Sequence, residues 1–258
     1  MQDLSIGLLQ FDQIWEDKQK NFSKIKNLLN NKEGIDLLLL PEMFHTGFTM
    51  NHEIHSEKME SSAGIAFLNS LSKELNCAIY TSLIIEENVR VYNRGVFIDK
   101  GKVAQYDKRK CFGLGGESKS FTHGQNEIIV DFQGWKLNLQ ICYDLRFPEL
   151  IRNELDARGV AKYDVLLYVA NWPKKRINHW VSLLKARAIE NQCYVVACNR
   201  MGIDGKGIEY NGKSLIIDAN GEIQNPLHEK NVEGIIRGQL SSNGLSELRK
   251  KLPFLQDR

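Results

Sequence analysis

The sequence predicts an α/β fold in which a mixed β-sheet, or two sheets, carries helices on the outside. Two observations support this fold class: apolar runs of strand length alternate with patterns of helical period, and three hairpin signals interrupt that alternation. The hairpins do not fit a purely parallel, doubly wound sheet, and the pattern leaves open whether two sheets stack. Because the chain of 258 residues shows no repeat, low-complexity tract or linker, we expect one domain over residues 1–258.

The first third of the chain alternates strands and helices. An uninterrupted apolar run, "IDLLLL", ends at Pro41 and is typical of a strand that is covered on both faces. The predicted helices on either side of this run place their apolar residues on one face. The predicted elements are the strands 3–11, 35–40 and 77–85 and the helices 21–31 and 64–76.

Hairpins and a second strand–helix–strand unit make up the rest of the chain. Hairpin signals occur at "FIDKGKVAQY", "IIVDFQGWKLNL" and "LIIDANGEIQ", and the last contains Asn220 followed by Gly221, a strong two-residue turn signal. A helix is expected after Pro148. Residues 164–170 and 193–199 are predicted strands, and the helix between them covers 178–192.

Composition and charge exclude several classes of protein. The 34 basic and 32 acidic residues give a formal charge of +2, which provides no basic field for nucleic acid. No stretch approaches the ~20 apolar residues that span a membrane, and the N-terminus lacks the pattern of a secretory signal, so we expect a cytoplasmic protein. The five cysteines are irregularly spaced and include no CxxC pair, which argues against a disulfide framework and against a metal site.

Three residues with useful chemistry follow predicted strands. Glu42 comes after "DLLLLP", Lys108 after "VAQYD" and Cys142 after "WKLNLQI". Ligands of layered α/β proteins bind at the carboxyl ends of strands, where the loops diverge. Alone, each residue has an ordinary structural interpretation: an end charge, a charged surface run and a buried thiol. Together they predict a site for acyl transfer, in which a lysine favours the thiolate and a carboxylate accepts the thiol proton.

The motifs around these residues resemble those of the nitrilase (carbon–nitrogen hydrolase) superfamily. "LLLLPEMFHTGF", "YDKRKCF" and "CYDLRFPE" occur in the family's order, and with "YVANWP" and "ARAIENQCYVVACNRMGIDGKG" they are similar to the omega-amidase branch. The resemblance covers nearly the whole chain. It implies a four-layer α-β-β-α sandwich with two mixed β-sheets, a homodimer formed across helices, and no metal or organic cofactor.

The resemblance also implies a role for each site residue. Glu42 would be the general base, Cys142 the nucleophile and Lys108 the stabiliser of the oxyanion, together with the backbone N–H of Tyr143. The family has a second glutamate between its lysine and cysteine motifs. Glu117 in "GLGGES" is the best match, and it would orient Lys108 or bind the leaving ammonia.

The implied reaction is hydrolysis of the terminal carboxamide of a small 2-oxo acid, such as 2-oxoglutaramate or 2-oxosuccinamate, through a cysteine thioester. The alternative is another amidase or carbamoyl hydrolase of the superfamily that acts on a different small amide. The substrate carboxylate needs a cation or backbone donors. Arg146 is a candidate, although a salt bridge to Asp144 or Glu149 would explain this residue equally well. Candidate walls of the substrate pocket are Phe44, Asn171 and Trp172.

Two other interpretations stay open. Cys142 could act with a histidine, as in cysteine peptidases, and His179 in "RINHW" is the best placed. Alternatively, "FGLGGES" could bind an anion as a glycine-rich loop, although no convincing helix follows it. The branch usually has histidine and leucine after "YDKR", where this chain has Lys110 and Cys111, so a second thiol is expected near the pocket.

Overall fold

A computed structural model describes residues 1–30, 34–225 and 232–258 of the chain. Within these residues the strands form two large mixed sheets and one two-stranded ribbon. The strands are β1 (Leu4–Gln10), β2 (Leu37–Leu39), β3 (Ala78–Glu87), β4 (Arg90–Asp99), β5 (Lys102–Asp107), β6 (Ile129–Phe132), β7 (Trp135–Ile141), β8 (Val165–Ala170), β9 (Tyr194–Asn199), β10 (Met201–Ile203), β11 (Glu209–Asn211), β12 (Leu215–Ile217) and β13 (Gly234–Leu240). The α-helices are α1 (Lys18–Leu29), α2 (His52–His55), α3 (Ala63–Leu75), α4 (Glu117–Ser120), α5 (Ile177–Asn191) and α6 (Ser242–Lys251).

The first sheet has the strand order β13-β1-β2-β3-β4-β5. Its centre is parallel, because β2 pairs in parallel with both β1 and β3. The outer pairs are antiparallel: β13 on β1, and the successive hairpins β3–β4 and β4–β5. The sheet therefore combines a strand–helix–strand core with a meander, as the alternation and the first hairpin signal predict.

The second sheet has the order β12-β9-β8-β7-β6 and repeats the same design. Strands β7, β8 and β9 are parallel, and the helix α5 connects the last two of them. The edge strands β6 and β12 run antiparallel to their neighbours. The predicted hairpin over 128–139 is confirmed as the β6–β7 pair. The hairpin predicted at 215–224 is reduced to a single bridge between Ile217 and Ile223.

Apolar side chains fill the layers between and outside the sheets. One core cluster contains residues of both sheets together with Trp180, Leu184 and Ala188 of α5. A second cluster joins the first sheet to α1 and α3. A direct link between the sheets is the Tyr80 hydroxyl, which donates to the carbonyl oxygen of Gln140 at 3.0 Å. The stacking that the pattern left open is therefore α-β-β-α, as the family resemblance implies.

Polar side chains cap the N-termini of α1, α3 and α6, and left-handed residues end α3 and α5. Asp17 caps α1 by accepting from the backbone of Lys20, and Ser62 caps α3 by accepting from Ile65. The C-cap Asn76 has φ of 48°, which ends α3 before β3 begins. α5, the longest helix in the described part of the chain, has 15 residues, fewer than the ~20 needed to cross a bilayer.

Two helix predictions need correction. The helix expected after Pro148 is only a 3-10 turn over Pro148–Leu150, because the chain leaves helical geometry at Ile151. The predicted helix 21–31 instead begins at Lys18 and ends at Leu29. Its expected last residue, Asn31, lies outside the described residues.

Candidate active site

The three residues predicted from strand ends meet between the two sheets. Glu42 follows β2, Lys108 follows β5 and Cys142 follows β7. All three are buried, and the first two are in direct contact. The stacked sheets thus bring together one residue from the second sheet and two from the first.

The backbone around Glu42 is held by side chains from neighbouring segments. Thr81 donates its hydroxyl to the carbonyl oxygen of Pro41 at 2.7 Å, and Gln13 donates its amide to the carbonyl oxygen of Glu42 at 3.0 Å. Met43 then adopts a left-handed conformation with φ of 47°. This tight turn fixes the carboxylate at the interface between the sheets.

Two carboxylates surround the Lys108 ammonium. Its Nζ lies 2.7 Å from Glu42 Oε1 and 3.0 and 2.9 Å from the two carboxylate oxygens of Glu117. The side chains of all three residues are at most 1% exposed. Burial alone would lower the pKa of Lys108, but the neighbouring charges of Glu117 and Glu42 outweigh it and raise the pKa well above its ordinary value. The lysine is therefore a fixed positive charge.

The glycine-rich segment serves to place Glu117. Gly113–Gly115 forms a 3-10 turn, and Gly116 has φ of 83°, a conformation that an L side chain rarely adopts. The chain folds back so that the N–H of Phe112 donates to Glu117 Oε2 at 2.5 Å. The helix that follows, α4, is only four residues long. This geometry does not support the anion-loop interpretation.

The nucleophile candidate sits in a strained turn directly after β7. Cys142 has φ of 44°, in the left-handed region that costs a non-glycine residue about 1–2 kcal/mol. The buried carboxylate of Asp144 holds this turn by accepting from the N–H of Ile141, the N–H of Lys110 and the hydroxyl of Tyr106, at 3.0, 2.9 and 2.8 Å. Asp144 therefore ties the cysteine turn to the segment that carries Lys108.

The Cys142 thiol is protonated in this environment. Burial raises its pKa well above the ordinary value, the carboxylate of Glu42 raises it further, and the opposing effect of Lys108 is smaller. Lys108 favours the thiolate, as expected, but its effect on the pKa is smaller than that of burial and Glu42. A base must remove the proton as the sulfur attacks.

A pocket of about 260 Å³ opens above Cys142. Its walls combine aromatic rings with cationic side chains, and the exposed side chain of Leu114 stands at its rim. The residues that line it are Phe48, Phe112, Leu114, Gly115, Cys142, Tyr143, Arg146, Asn171, Trp172, Pro173, Arg176, Asp204, Lys206, Ile208 and Tyr210.

Arg146 faces this pocket instead of holding its own turn. Its guanidinium lies 4.7 Å from the centre of the Trp172 ring, and its Nη2 is 3.3 Å from His179 Nδ1. Among the described residues, no carboxylate lies within ion-pair distance of Arg146; Asp144 instead accepts the three hydrogen bonds described above. The positive charge is therefore available to a ligand.

Three other predicted residues also line the pocket. Asn171 is bound to the base candidate twice: its N–H donates to Glu42 Oε2 at 2.9 Å, and its Nδ2 donates to the carbonyl oxygen of Glu42 at 2.6 Å. Trp172 lies beneath Arg146, and the ring of Tyr143 packs 5.0 Å from that of Phe112. Tyr143 is the second residue of the 3-10 helix Cys142–Arg146, where backbone N–H groups lack intrahelical acceptors.

Phe44 does not line the pocket, and this prediction is wrong. The side chain is fully buried between the first sheet and its helices, where its ring stacks on His45 at 4.6 Å and approaches Phe22 at 6.0 Å. The left-handed residue Met43 reverses the chain between Glu42 and Phe44 and sends the two side chains to different layers. The aromatic residue of this segment that does line the pocket is Phe48, four residues later.

The remaining sequence candidates, His179 and Cys111, do not line the pocket. His179 is exposed and contacts Arg146, and it is not part of the pocket that Cys142 lines, so the geometry does not support a cysteine–histidine pair. Cys111 packs with Met43 and Phe121 behind the pocket, and burial raises the pKa of its thiol to about 12. The described residues contain no group of histidine, cysteine and acidic side chains that could hold a metal ion.

No sequence pattern pointed to one central residue, Asn93. This asparagine lies inside β4, and its Nδ2 donates to Glu42 Oε1 at 2.8 Å and to Glu117 Oε1 at 2.9 Å. A polar residue within a strand usually marks the solvent face, so only the pairing of β4 with β5 reveals that Asn93 neighbours Lys108.

Comparisons with known proteins agree with this geometry. Residues 5–250 match the family described as carbon–nitrogen hydrolase. The chain is 38% identical to an omega-amidase of Yersinia enterocolitica, over all of this chain and 97% of that protein. It is 33% identical to a 2-oxoglutaramate amidase of Bacillus subtilis, over 98% of this chain and 96% of that protein. A crystal structure of a CN-hydrolase superfamily protein from Xanthomonas campestris, with an arsenic adduct in its active site, superposes with a TM-score of 0.94 at 35% identity and covers 100% of this chain and 98% of that one.

Proposed function

The chain belongs to the carbon–nitrogen hydrolase family, and we propose that it is an omega-amidase, which hydrolyses the terminal carboxamide of a small 2-oxo acid. The observation that carries this proposal is the buried contact of Glu42, Lys108 and Glu117 beside Cys142, at the base of a pocket that presents the Arg146 guanidinium. The names of the Yersinia and Bacillus relatives support the same substrate class.

In the first half-reaction, Cys142 attacks the carbon of the substrate carboxamide. Glu42 takes the thiol proton as the C–S bond forms, because the thiol is not ionised at rest. The electron pair of the C=O bond moves to oxygen, and the oxyanion is held by the Lys108 ammonium and the N–H of Tyr143. One such donor is typically worth about 10²–10³ in turnover.

Collapse of the tetrahedral intermediate breaks the C–N bond. Protonated Glu42 returns its proton to the nitrogen, ammonia leaves, and a thioester on Cys142 remains. Water then attacks the thioester with Glu42 as base, and the acid product leaves as the thiol is restored. Glu117 keeps Lys108 in place through its two contacts of 3.0 and 2.9 Å throughout these steps.

The other end of the substrate carries a carboxylate and a 2-oxo group. Arg146 offers a planar guanidinium of the kind that binds a carboxylate through two parallel hydrogen bonds. Asn171 and Trp172 form the adjoining wall, and the pocket of about 260 Å³ suits a molecule of this size. The proposed substrates are 2-oxoglutaramate and 2-oxosuccinamate.

Ammonia release across a set of short monoamides tests this assignment. The set pairs each 2-oxo acid amide with the analogue that lacks the 2-oxo group, and adds carbamoyl compounds. We expect the highest kcat/KM for a 2-oxo acid amide, and a mass increase on Cys142 that corresponds to the acyl group when the reaction is quenched early. Equal rates on all amides would contradict the omega-amidase assignment. The absence of any acyl adduct would contradict the thioester intermediate.

We also propose that residues 1–258 form one hydrolase domain that works in the cytoplasm as a homodimer. The family resemblance supports the dimer, and the match over residues 5–250 supports a single domain. Light scattering of the purified chain and its fractionation from cells test the two statements. A monomer at micromolar concentration, or recovery outside the cytoplasmic fraction, would contradict them.

A further inference from the structure

Asn93 lies between the two glutamates of the site. It is on β4 with 1% of its surface exposed, and its carbonyl oxygen accepts the N–H of Lys108 at 3.0 Å. Because Arg94 and Asp107 are cross-strand partners, Asn93 and Lys108 are neighbours just beyond that pair. The sheet itself therefore sets the position of Asn93 relative to the lysine.

The side-chain amide completes a closed ring of hydrogen bonds. Glu42 Oε1 accepts from Lys108 Nζ at 2.7 Å and from Asn93 Nδ2 at 2.8 Å. Glu117 Oε1 accepts from the same two nitrogens at 3.0 and 2.9 Å. Two donor nitrogens thus alternate with two carboxylate oxygens, and Asn93 uses both of its N–H groups on them.

The orientation of the Asn93 amide follows from its partners. The opposite orientation would direct a carbonyl oxygen at two carboxylate oxygens, with no donor between them. In the orientation present, the buried Asn93 Oδ1 has no hydrogen-bond partner within the described part of the chain. An unpartnered buried acceptor lowers stability. Any favourable contribution of the Asn93 side chain therefore comes from the hydrogen bonds that its Nδ2 donates to Glu42 and Glu117.

Neighbouring carboxylates tend to share one proton. A proton shared by Glu42 and Glu117 would prevent Glu42 from accepting the proton of Cys142. Among the residues that the structure describes, Glu42 Oε1 and Glu117 Oε1 of this ring accept only from the N–H groups of Lys108 and Asn93. A proton bound to either oxygen would face an N–H group, which cannot accept it, so protonation of these two oxygens is unfavourable. We propose that Asn93 is a positioning residue that keeps Glu42 separate from Glu117 and free to receive the proton of Cys142. This inference rests on the proposed role of Glu42 as the base.

Alkylation of Cys142 by acrylamide tests the inference without an identified substrate. The rate depends on removal of the thiol proton, and it is measured against pH by mass spectrometry. The titratable groups that interact with Glu42 or Cys142 are Lys108 and Glu117, with Tyr80, Asp144, Cys111 and Tyr210 near them. All of them are retained in the variants Asn93→Leu and Asn93→Asp.

We expect Asn93→Leu to slow alkylation at neutral pH by about 10²-fold and to move the acid limb of its pH profile upward by about one unit. Its melting temperature should stay near the wild-type value, because the substitution also removes the unpartnered Oδ1. If Asn93→Leu lowers the melting temperature, Asn93→Ser carries the same prediction, since serine is too short to reach both carboxylates. The matched control is Asn69→Leu, which removes an unpartnered buried Oδ1 on α3, outside the site, and should leave alkylation unchanged.

A charge rescue separates positioning from packing. Asn93→Asp places an acceptor against the two carboxylates and should be slower than Asn93→Leu. Adding Glu117→Gln restores a donor and the original charge, so the double variant should exceed the product of the two single effects by about tenfold. A double variant equal to that product, or an Asn93→Leu profile that matches wild type, would overturn the inference. If the wild type is alkylated normally but hydrolyses no 2-oxo acid amide, the proposed substrate is wrong while Asn93 is still tested.

Discussion

Replacing Arg146 by leucine tests how the substrate carboxylate is recognised. The guanidinium is half-buried, stacked on Trp172 at 4.7 Å and held by His179 at 3.3 Å, so little side-chain freedom is left to lose when a ligand binds. Hydrogen bonds that involve a charged group contribute about 1.5–3 kcal/mol each. Because about 1.4 kcal/mol is a factor of ten and Arg146 would form two such bonds, kcat/KM for a carboxylate-bearing amide should fall by about 10²- to 10⁴-fold.

The assay compares two substrates on each variant by ammonia release. One is 2-oxoglutaramate, which carries the carboxylate, and the other is butanamide, which does not. With Arg146→Leu the loss should be confined to 2-oxoglutaramate and should appear mainly in KM, since the interaction is present in both the bound substrate and the transition state. Arg146→Lys should recover only part of the loss, because an ammonium cannot form two parallel hydrogen bonds.

Arg152→Leu is the matched control, since Arg152 is an exposed arginine six residues further along the same segment. It should leave both substrates unchanged. Equal losses of Arg146→Leu on both amides would show that Arg146 holds the turn of the nucleophile. An unchanged kcat/KM for 2-oxoglutaramate would refute any role in carboxylate binding.

Three further predictions concern the nucleophile, its turn and the core. Cys142→Ala and Cys142→Gly should both abolish thioester formation, but glycine tolerates φ of 44°, so its variant should melt about 2–4 °C above the alanine variant; equal melting temperatures would argue against strain. Burial raises the pKa of Asp144 to about 6 from 3.8, so the native state binds its proton more tightly than the unfolded state. Its contribution to the unfolding free energy should therefore fall by about 2 kcal/mol as the pH rises from 4 to 6. Denaturant titrations of wild type and Asp144→Asn should show that difference, and parallel pH curves would contradict it. Phe44→Ala should lower the free energy of unfolding by about 3–5 kcal/mol and leave KM unchanged. A raised KM without loss of stability would indicate that Phe44 lines the substrate pocket after all.

Apolar runs carried most of the information in the sequence. "IDLLLL" and "WKLNLQI" become β2 and β7, so Glu42, which follows Pro41, and Cys142 fall at strand ends where a site can form. Lys108 follows β5 by the same logic. The distances between these residues depend on how the two sheets stack, and periodicity holds no information on that. The family resemblance supplied the layer order, and the structure confirms it.

The failures have local physical causes. Phe44 is two residues from the base, yet the left-handed Met43 reverses the chain between them, and a hydrophobic pattern does not register a change in the sign of φ. Asn93 is hidden for the opposite reason: it lies inside a regular strand without any turn signal. Its role depends on a partner 15 positions away that strand pairing places beside it. Residues whose function depends on register are the ones that pattern reasoning misses.

The charge balance of the site explains why the thiol stays protonated until substrate arrives. Two carboxylates, Glu42 and Glu117, face one ammonium, so the group carries one net negative charge before the cysteine is counted. A thiolate would bring a second negative charge into the same buried volume, and burial together with Glu42 therefore keeps the pKa of Cys142 high. In the proposed attack the charge does not remain on sulfur, because it would pass to the carbonyl oxygen while Glu42 is neutralised by the proton. Lys108 then faces one carboxylate and one oxyanion in place of two carboxylates. The site thus favours the charge distribution of the transition state over that of a resting thiolate, which is the condition for catalysis by differential binding.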